Sequence, residues 1–533
     1  MKMKFVYMIS LVLVLTSCES FLDKRDPTAT TFEEFFNTEA DLQRVTYSSY
    51  LDFFTPRDNR RLLFYMKDGR SDDAYARVEG DHHLRIANGN INANTRAFEY
   101  YYTLHMKHVG RINMYIANID KPYLENEAVR QKYKAILEGL RVWHYFEATT
   151  RWGDIPFLLE PATVEEAKQP PLPQTEVLDR LFEMSDDIIS RLPSGEYSTD
   201  KHFFNKESFK TLVMRYALYH GRYERAARLA QEVMESGRYE LYPNYGDLFQ
   251  YAGASSNKEF IQHHNLEAVG ANNTWSFRDL GPHFRTGTGQ SYSVPTKALV
   301  DAYWTLQGRP IDNCPEHTKE EYELDPKLNR DPRYTASIMG HGDIFYGEEI
   351  DIYNTQSPMY YQNVRASKSG YWYRKFVPEE DAFRNGNLVF GLSRYAEVLL
   401  TYAEAKIMQN DIDELAKDCI NQVRRRAGLD MDYADVKLSA YSAYTQQQWI
   451  DLIRNERRTE FAGEGFRYDD IIRWRIAADV LSKPALGHTR VMSNGQKQSL
   501  HIENRTFAPH NYLWPHHALQ LKIEPDLVQN PGY

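Results

Sequence analysis

NKESFKTLVMRYALYHGRYERAARLAQEVMESGRY, residues 205–239, reads as two helices of similar length, broken at Gly221 and ended at Gly237. Ala217, Leu218, Tyr223, Ala226, Ala227, Ala230 and Val233 recur at helical spacing and form the inner faces. Small alanines at the crossing points, with an aromatic just after the turn, follow tetratricopeptide logic. Such a pair buries its apolar face only by stacking on neighbouring pairs. One hairpin alone does not separate a repeat from a generic helical pair, so the test is whether the pattern returns.

It returns on both sides. Tyr133, Ile136, Leu137, Leu140, Trp143 and His144 keep helical spacing through 129–152, and the run stops at Gly153 with Pro156 beyond. After Pro170-Pro171-Leu172-Pro173, Thr175 is the expected N-cap of a helix carrying Leu178, Leu181, Ile188 and Leu192. A second pair follows: 394–409, with Val398, Leu399, Tyr402, Ala403 and Ala405, and 412–427, with Asp411 and Glu414 as its capping box and Gly428 as its stop. Thr445 with Gln448 caps a third helix, 446–462. The expected fold is mostly α, a tetratricopeptide-like scaffold. Between about 240 and 390 the long helical period vanishes and Gly, Pro, Asn, Tyr and Trp become frequent, as at Gly287-Thr288-Gly289 and Gly340-His341-Gly342. A loop-rich insertion of this length is functional or disordered, and its aromatic content argues against disorder.

The start of the chain carries an address. Lys2 and Lys4 precede an apolar run, Phe5 to Leu15, and Leu15-Thr16-Ser17-Cys18 follows. The run is shorter than the roughly 20 residues a membrane span needs. It reads as a lipoprotein signal over residues 1–17, with Cys18 the acylated first residue of the mature chain. Without residues 1–17 the chain has 62 Lys and Arg against 74 Asp and Glu. That acidic balance argues against nucleic acid, whose binding depends on neutralising phosphates, and against electrostatic docking on anionic lipid. Cys314 and Cys419 show no metal-type spacing. They are either a pair or, for Cys419 inside a helical pattern, a small buried apolar group. The 38 Tyr, 26 Phe and 8 Trp are the unusual part of the composition.

Three segments stand out: Arg394-Tyr395-Ala396-Glu397-Val398-Leu399-Leu400 with Tyr402-Ala403-Glu404-Ala405, Ile420-Asn421-Gln422-Val423-Arg424 with Arg426-Ala427-Gly428, and above all Ile453 to Phe461 continuing through Glu464-Gly465-Phe466-Arg467-Tyr468-Asp469-Asp470 to Arg473-Trp474. Together they resemble the SusD/RagB family of Bacteroidetes outer-membrane lipoproteins. Leu513-Trp514-Pro515, the tail Gln529 to Tyr533, Phe21-Leu22-Asp23, Asn329 to Arg333 and Gly370 to Phe376 fit as well. Gly463, in place of a bulky apolar residue, and His516-His517, in place of Ile-Pro, depart from the pattern. The resemblance implies a glycan-binding lipoprotein, anchored in the outer membrane and facing the cell exterior. It would act as a lid that hands oligosaccharide or polysaccharide fragments to a SusC-like TonB-dependent transporter. It also implies an organisation of 18–240 and 394–533 as helical regions around a glycan-binding insertion, 241–393. Capture of peptides or glycopeptides by the same lid is the alternative, and a surface glycoside hydrolase the rival from another class.

A sugar site needs exposed aromatic planes for the C–H faces and polar side chains for the hydroxyl rim. No cofactor or metal is required. Two stretches have that composition, Asp68 to Asn90 and the insertion from Trp275 onward. The candidates are Arg70, Tyr75, Arg77, His82, Trp275, Arg278, Phe284 and Tyr292, with Tyr360 and Tyr361 later; Trp372 and Tyr373 read as structural. The Arg/Glu-rich helix from Arg454 to Glu464 reads as a structural ion-pair network, because interleaved arginines lower carboxylate pKa values and unfit them as general acids. His105 and His108 on one helical face lack a third ligand at zinc spacing.

Overall fold

The computed structural model describes residues 35–54, 64–77, 82–195, 203–254, 257–264, 276–284, 289–383 and 386–533. The pair that opened the reading is present as Lys206–Tyr219 and Tyr223–Glu235. Asn205 starts it with a reciprocal cap: its side chain accepts from Ser208 N at 2.7 Å and Ser208 Oγ accepts from Asn205 N at 3.0 Å. Gly221 ends the first helix at φ +70°, a conformation open to glycine. Ala226, Ala227, Ala230 and Val233 are buried on the inner face.

The long helices, in chain order, are α1 (Glu39–Phe54), α2 (Arg96–Ala117), α3 (Glu127–Trp152), α4 (Gln174–Arg191), α5 (Lys206–Tyr219), α6 (Tyr223–Glu235), α7 (Tyr395–Met408), α8 (Glu414–Ala427) and α9 (Gln446–Glu460). Successive members pack as α2 on α3, α3 on α4, α5 on α6, α7 on α8 and α7 on α9. One contact reveals the plan: α6 packs on α7, although about 160 residues separate them. The helical series therefore runs on through space while the chain leaves it, builds a second body and returns. Its neck is a strand pair, β2 (Phe260–His264) antiparallel to β8 (Phe390–Arg394).

Two caps differ from the sequence reading. Helix α4 begins at Gln174, not after Thr175, because its first N–H is satisfied from outside: Gln174 N donates to Asp154 Oδ1 at 2.8 Å. Asp413, not Asp411, caps α8 by accepting from Ala416 N at 2.7 Å, while Asp411 pairs with Lys406. The box of Thr445 with Gln448 and the left-handed Gly428, φ +84°, stand as read. Both departures from the family pattern have local explanations. Gly463, at φ +77°, has the Tyr373 ring 3.0 Å from where a Cβ would sit, so the tyrosine supplies the bulk. His516 is buried edge-on against Tyr102, at 5.6 Å.

The insertion has its own apolar core of Phe277, Phe284, Tyr303, Phe345, Trp372, Tyr373 and Phe376, threaded by short strands. These are β3 (Ser293–Pro295), β4 (Ile338–Gly340) paired with β7 (Tyr371–Tyr373), and the hairpin β5 (Ile344–Phe345) and β6 (Glu348–Glu349). Buried charges join the two bodies. Arg394 reaches Glu259 (2.7 Å), Glu460 (2.6 Å) and Glu464 (2.7 Å); Arg333 reaches Asp331 (2.6 Å) and Glu456 (2.7 Å); Lys375 reaches Glu464 (2.7 Å). Burial works against the Glu460 charge, yet Arg426, Arg394 and Arg333 hold its carboxyl below the usual range. The Arg/Glu-rich helix is thus the joint between the bodies.

Distant chain segments also close on one another. Trp152 Nε1 donates to Pro515 O (3.0 Å), Asn530 Nδ2 to Trp152 O (3.0 Å), and Arg505 to Ser71 O (2.6 Å) and Ala74 O (2.9 Å). Cys314 and Cys419 are both free thiols, and Cys419 is buried 3.7 Å from the Met234 sulfur. Among the described residues no helix is long and apolar enough to cross a membrane, and no group of three His, Cys, Asp or Glu is set to hold a metal.

Candidate functional site

A three-residue strand assembles the site. β1 (Ala74–Ala76) pairs antiparallel with β3, Tyr75 opposite Val294 and Ala76 opposite Ser293, so the early stretch and the insertion become neighbours. The pairing continues one step outward, where Arg77 N donates to Tyr292 O at 2.8 Å. The Arg77 guanidinium then lies 5.2 Å from the Tyr292 ring centroid and donates to Gln290 O at 2.6 Å and to Val364 O. Ser291 fixes this corner. Buried and held at φ +48°, it accepts from Trp372 Nε1 at 2.8 Å and donates to Arg365 O at 2.9 Å.

Beyond Arg365 the loop 351–368 extends the surface. Asn363 clamps it through Nδ2 bonds to Ser357 O (3.0 Å) and Pro358 O (3.1 Å). Tyr360 and Tyr361 have ring centroids 5.0 Å apart, and Tyr361 lies 6.2 Å from Tyr353. Tyr353 is held from below by His488 Nδ1 at 2.8 Å, with the Arg490 guanidinium 4.6 Å from its ring. Tyr75, Tyr292, Tyr353 and Tyr361 pack on the insertion core yet remain half-buried, as does Tyr360. Each therefore keeps ring surface and a polar tip at the boundary. Burial pushes the Tyr353 hydroxyl up to about 12, so it stays protonated and able to donate. Burial, with His341 alongside, pushes His488 down to about 4, leaving it a neutral partner for that hydroxyl.

The candidate residues separate by what they touch. Tyr75, Arg77 and Tyr292 come together on this shelf, joined by Tyr360 and Tyr361. Arg70 is instead interior: it donates to His83 Nδ1 (2.9 Å) and Tyr101 Oη (2.6 Å) and lies over Trp514. Phe284 is also interior, stacked on Phe345 at 5.7 Å and 7°. Both are corrected out of the shelf by burial. Arg278 is half-buried in the short helix Ser276–Leu280, whose Arg278 and Asp279 carbonyls accept from Gln290 N (2.7 Å) and Tyr292 N (2.6 Å). Trp275 and Cys18 lie outside the described residues, as does the side chain of His82. Tyr353, Arg365, Lys368 and Arg490 were not singled out in the sequence. The first three had a signal: no acidic residue occurs between Asp351 and Glu379. Arg490, far along in β9 (Ala485–Val491), had none.

Comparison with known proteins follows the same outline. The sequence model of the SusD family matches residues 258–533. SusD-like protein P38 of Formosa agariphila is 25% identical over 99% of this chain and 98% of its own length. A SusD-like carbohydrate-binding protein of Bacteroides fragilis superposes with a TM-score of 0.81 at 25% identity, covering 93% of this chain and all of that one. Surface glycan-binding protein A of Bacteroides thetaiotaomicron, solved with laminarihexaose, shares the fold at a TM-score of 0.67 and 20% identity, with 93% and 100% covered.

Proposed function

The chain belongs to the SusD family, and we propose that it captures oligosaccharide on the tyrosine shelf and passes it to a SusC-like TonB-dependent transporter in the outer membrane. The observation that carries the reading is the shelf itself: half-buried tyrosine rings on two joined segments, Tyr292 beside Arg77 on one, and Tyr353, Tyr360 and Tyr361 with Arg490 over Tyr353 on the other. Rings of this kind stack on the C–H faces of a sugar, and guanidinium and amide groups bond its hydroxyls. The SusD-like carbohydrate-binding protein of Bacteroides fragilis supports it. The reading requires no catalysis, so a reducing-sugar assay on the purified protein should show no turnover.

In this reading Cys18 carries the lipid that holds the protein on the outer membrane, facing the exterior, and the insertion points its shelf at arriving glycan. Cys18→Ala should release a folded protein from the membrane fraction, since the lipid adds nothing to core packing. The decisive experiment is calorimetric titration of wild type, Tyr292→Ala and Tyr361→Ala against a glycan panel, beside thermal melts. The reading expects binding by wild type, a loss of about tenfold or more in each variant and melting close to wild type. Wild-type protein that binds no glycan, or extraction that repeatedly yields it without a barrel partner, overturns the reading.

A further inference from the structure

We propose that the shelf selects an anionic glycan, one whose rings carry carboxylate or sulfate groups; this rests on the glycan-binding reading above and narrows it. The argument starts from charge. The chain has 74 acidic residues against 64 Lys and Arg, yet the shelf is bordered by Arg77, Arg365, Lys368 and Arg490. Among the described residues none of the four forms an ion pair with a carboxylate, whereas Arg394, Arg333, Arg424 and Arg467 each do.

The shelf cations are held in place by neutral groups. Arg77 donates to the Gln290 and Val364 carbonyls; Lys368 Nζ lies 3.4 Å from the carbonyls of Tyr361, Gln362 and Asn363; Arg490 lies over Tyr353. Carbonyls and rings orient a cation without neutralising it. Arg365 is exposed and follows directly on the Val364 carbonyl that Arg77 grips. The Nε atoms of Arg77 and Arg490 are buried with no protein hydrogen-bond partner, as is that of Arg426 at the joint. Like charges gathered this way repel one another. Burial lowers the Arg77 pKa, opposed by Tyr292 and Tyr75 and aided by Arg365, and burial and then Arg77 lower that of Lys368. A bound anion relieves this repulsion, and guanidinium groups suit carboxylate and sulfate oxygens alike.

The test uses the mature protein and three polymers: neutral laminarin, polygalacturonate for carboxylate and a sulfated galactan for sulfate, each titrated at 50 and 300 mM NaCl. The expected result is binding of at least one anionic polymer, weakened about tenfold or more by the added salt, because the contacts are screened over roughly 8–10 Å. Which anionic arm binds identifies the group. Arg365→Gln should lose about tenfold in affinity with an unchanged melting temperature, and Arg365→Lys should recover most of it. Laminarin bound as tightly as either anionic polymer, or anionic binding indifferent to salt and to Arg365→Gln, overturns the inference and leaves the glycan reading standing. No binding to any polymer overturns both.

Discussion

At the joint between the two bodies, Arg394 is buried among Glu259, Glu460 and Glu464; on the shelf, Arg365 is exposed and meets no carboxylate among the described residues. The residue type is the same and the physics is opposite. At the joint each charge has already exchanged water for a partner, so the site is closed to anything else and its worth is mechanical. On the shelf the charges are placed by carbonyls and rings, with no carboxylate paired to them among the described residues. Ion pairing, more than arginine content, separates the joint from the shelf.

Substitutions at the joint should have the largest effects. Glu460→Gln leaves Arg394, Arg333 and Arg426 short of a buried partner, and breaking a buried pair from one side costs about 3–5 kcal/mol. Denaturant unfolding measures it, and a loss under about 1 kcal/mol would mean that the network behaves like a surface one.

A pH series sharpens the contrast next. The Asp68 carboxyl accepts from Gly465 N and Arg467 N, both at 3.2 Å, and burial, with Asp73 close by, pushes it up from 3.8 to about 7. The folded state therefore holds its proton more tightly than the unfolded chain does. That contribution is complete below about pH 4 and disappears as pH rises through 7. Glu460, Glu464 and Glu456, held below 4.5, act in the other direction: their contribution is present above that value and lost in acid. Stability should peak between these limits and fall by a few kcal/mol, on the order of 1.4 per pKa unit, on the alkaline side. Asp68→Asn should flatten that alkaline fall; a wild type equally stable at pH 5 and pH 8 would show that Asp68 titrates normally.

Shelf variants come last in stability and first in binding. Tyr292→Ala should lose about 1–3 kcal/mol of glycan affinity, the range for stacking on an aromatic ring, and early melting instead would make Tyr292 a core residue. Arg365→Gln should change unfolding free energy by less than about 0.5 kcal/mol. A larger change would mean that Arg365 has a structural partner.

The helical body was legible because its signals are local. Alanines at crossing points, Gly221 and Gly428 as stops and Thr445 with Gln448 as a cap all act within a few residues, and α5 to α9 lie close to where those signals put them. The two caps that shifted did so because Asp154 and Asp413 supplied bonds that Thr175 and Asp411 were expected to make. Of the candidate site, the two stretches singled out by composition do meet, at β1 and β3, but which of their side chains face outward was not legible. Arg70 and Arg77 stand seven apart in similar company, yet one turns inward to His83 and Tyr101 and the other outward across Tyr292. What decides between them is the pairing of Ala76 with Ser293, more than 200 residues away, which no local pattern encodes.

The long-range closures have a consequence for biogenesis. Arg505 bonds carbonyls 434 and 431 residues back, at Ser71 and Ala74, and Asn530 bonds Trp152 at a separation of 378. At ribosomal speeds of about 5–20 residues per second, the early loop waits roughly 20–90 s for Arg505 to be made. Until then Trp152 and Tyr102, packed edge-on against each other, lack the cover that Trp514 and His516 later supply. Such a chain cannot finish folding behind the ribosome. Its unclosed apolar faces stay open to aggregation for that time. Its final shape is set only when Arg505 and Asn530 reach Ser71, Ala74 and Trp152.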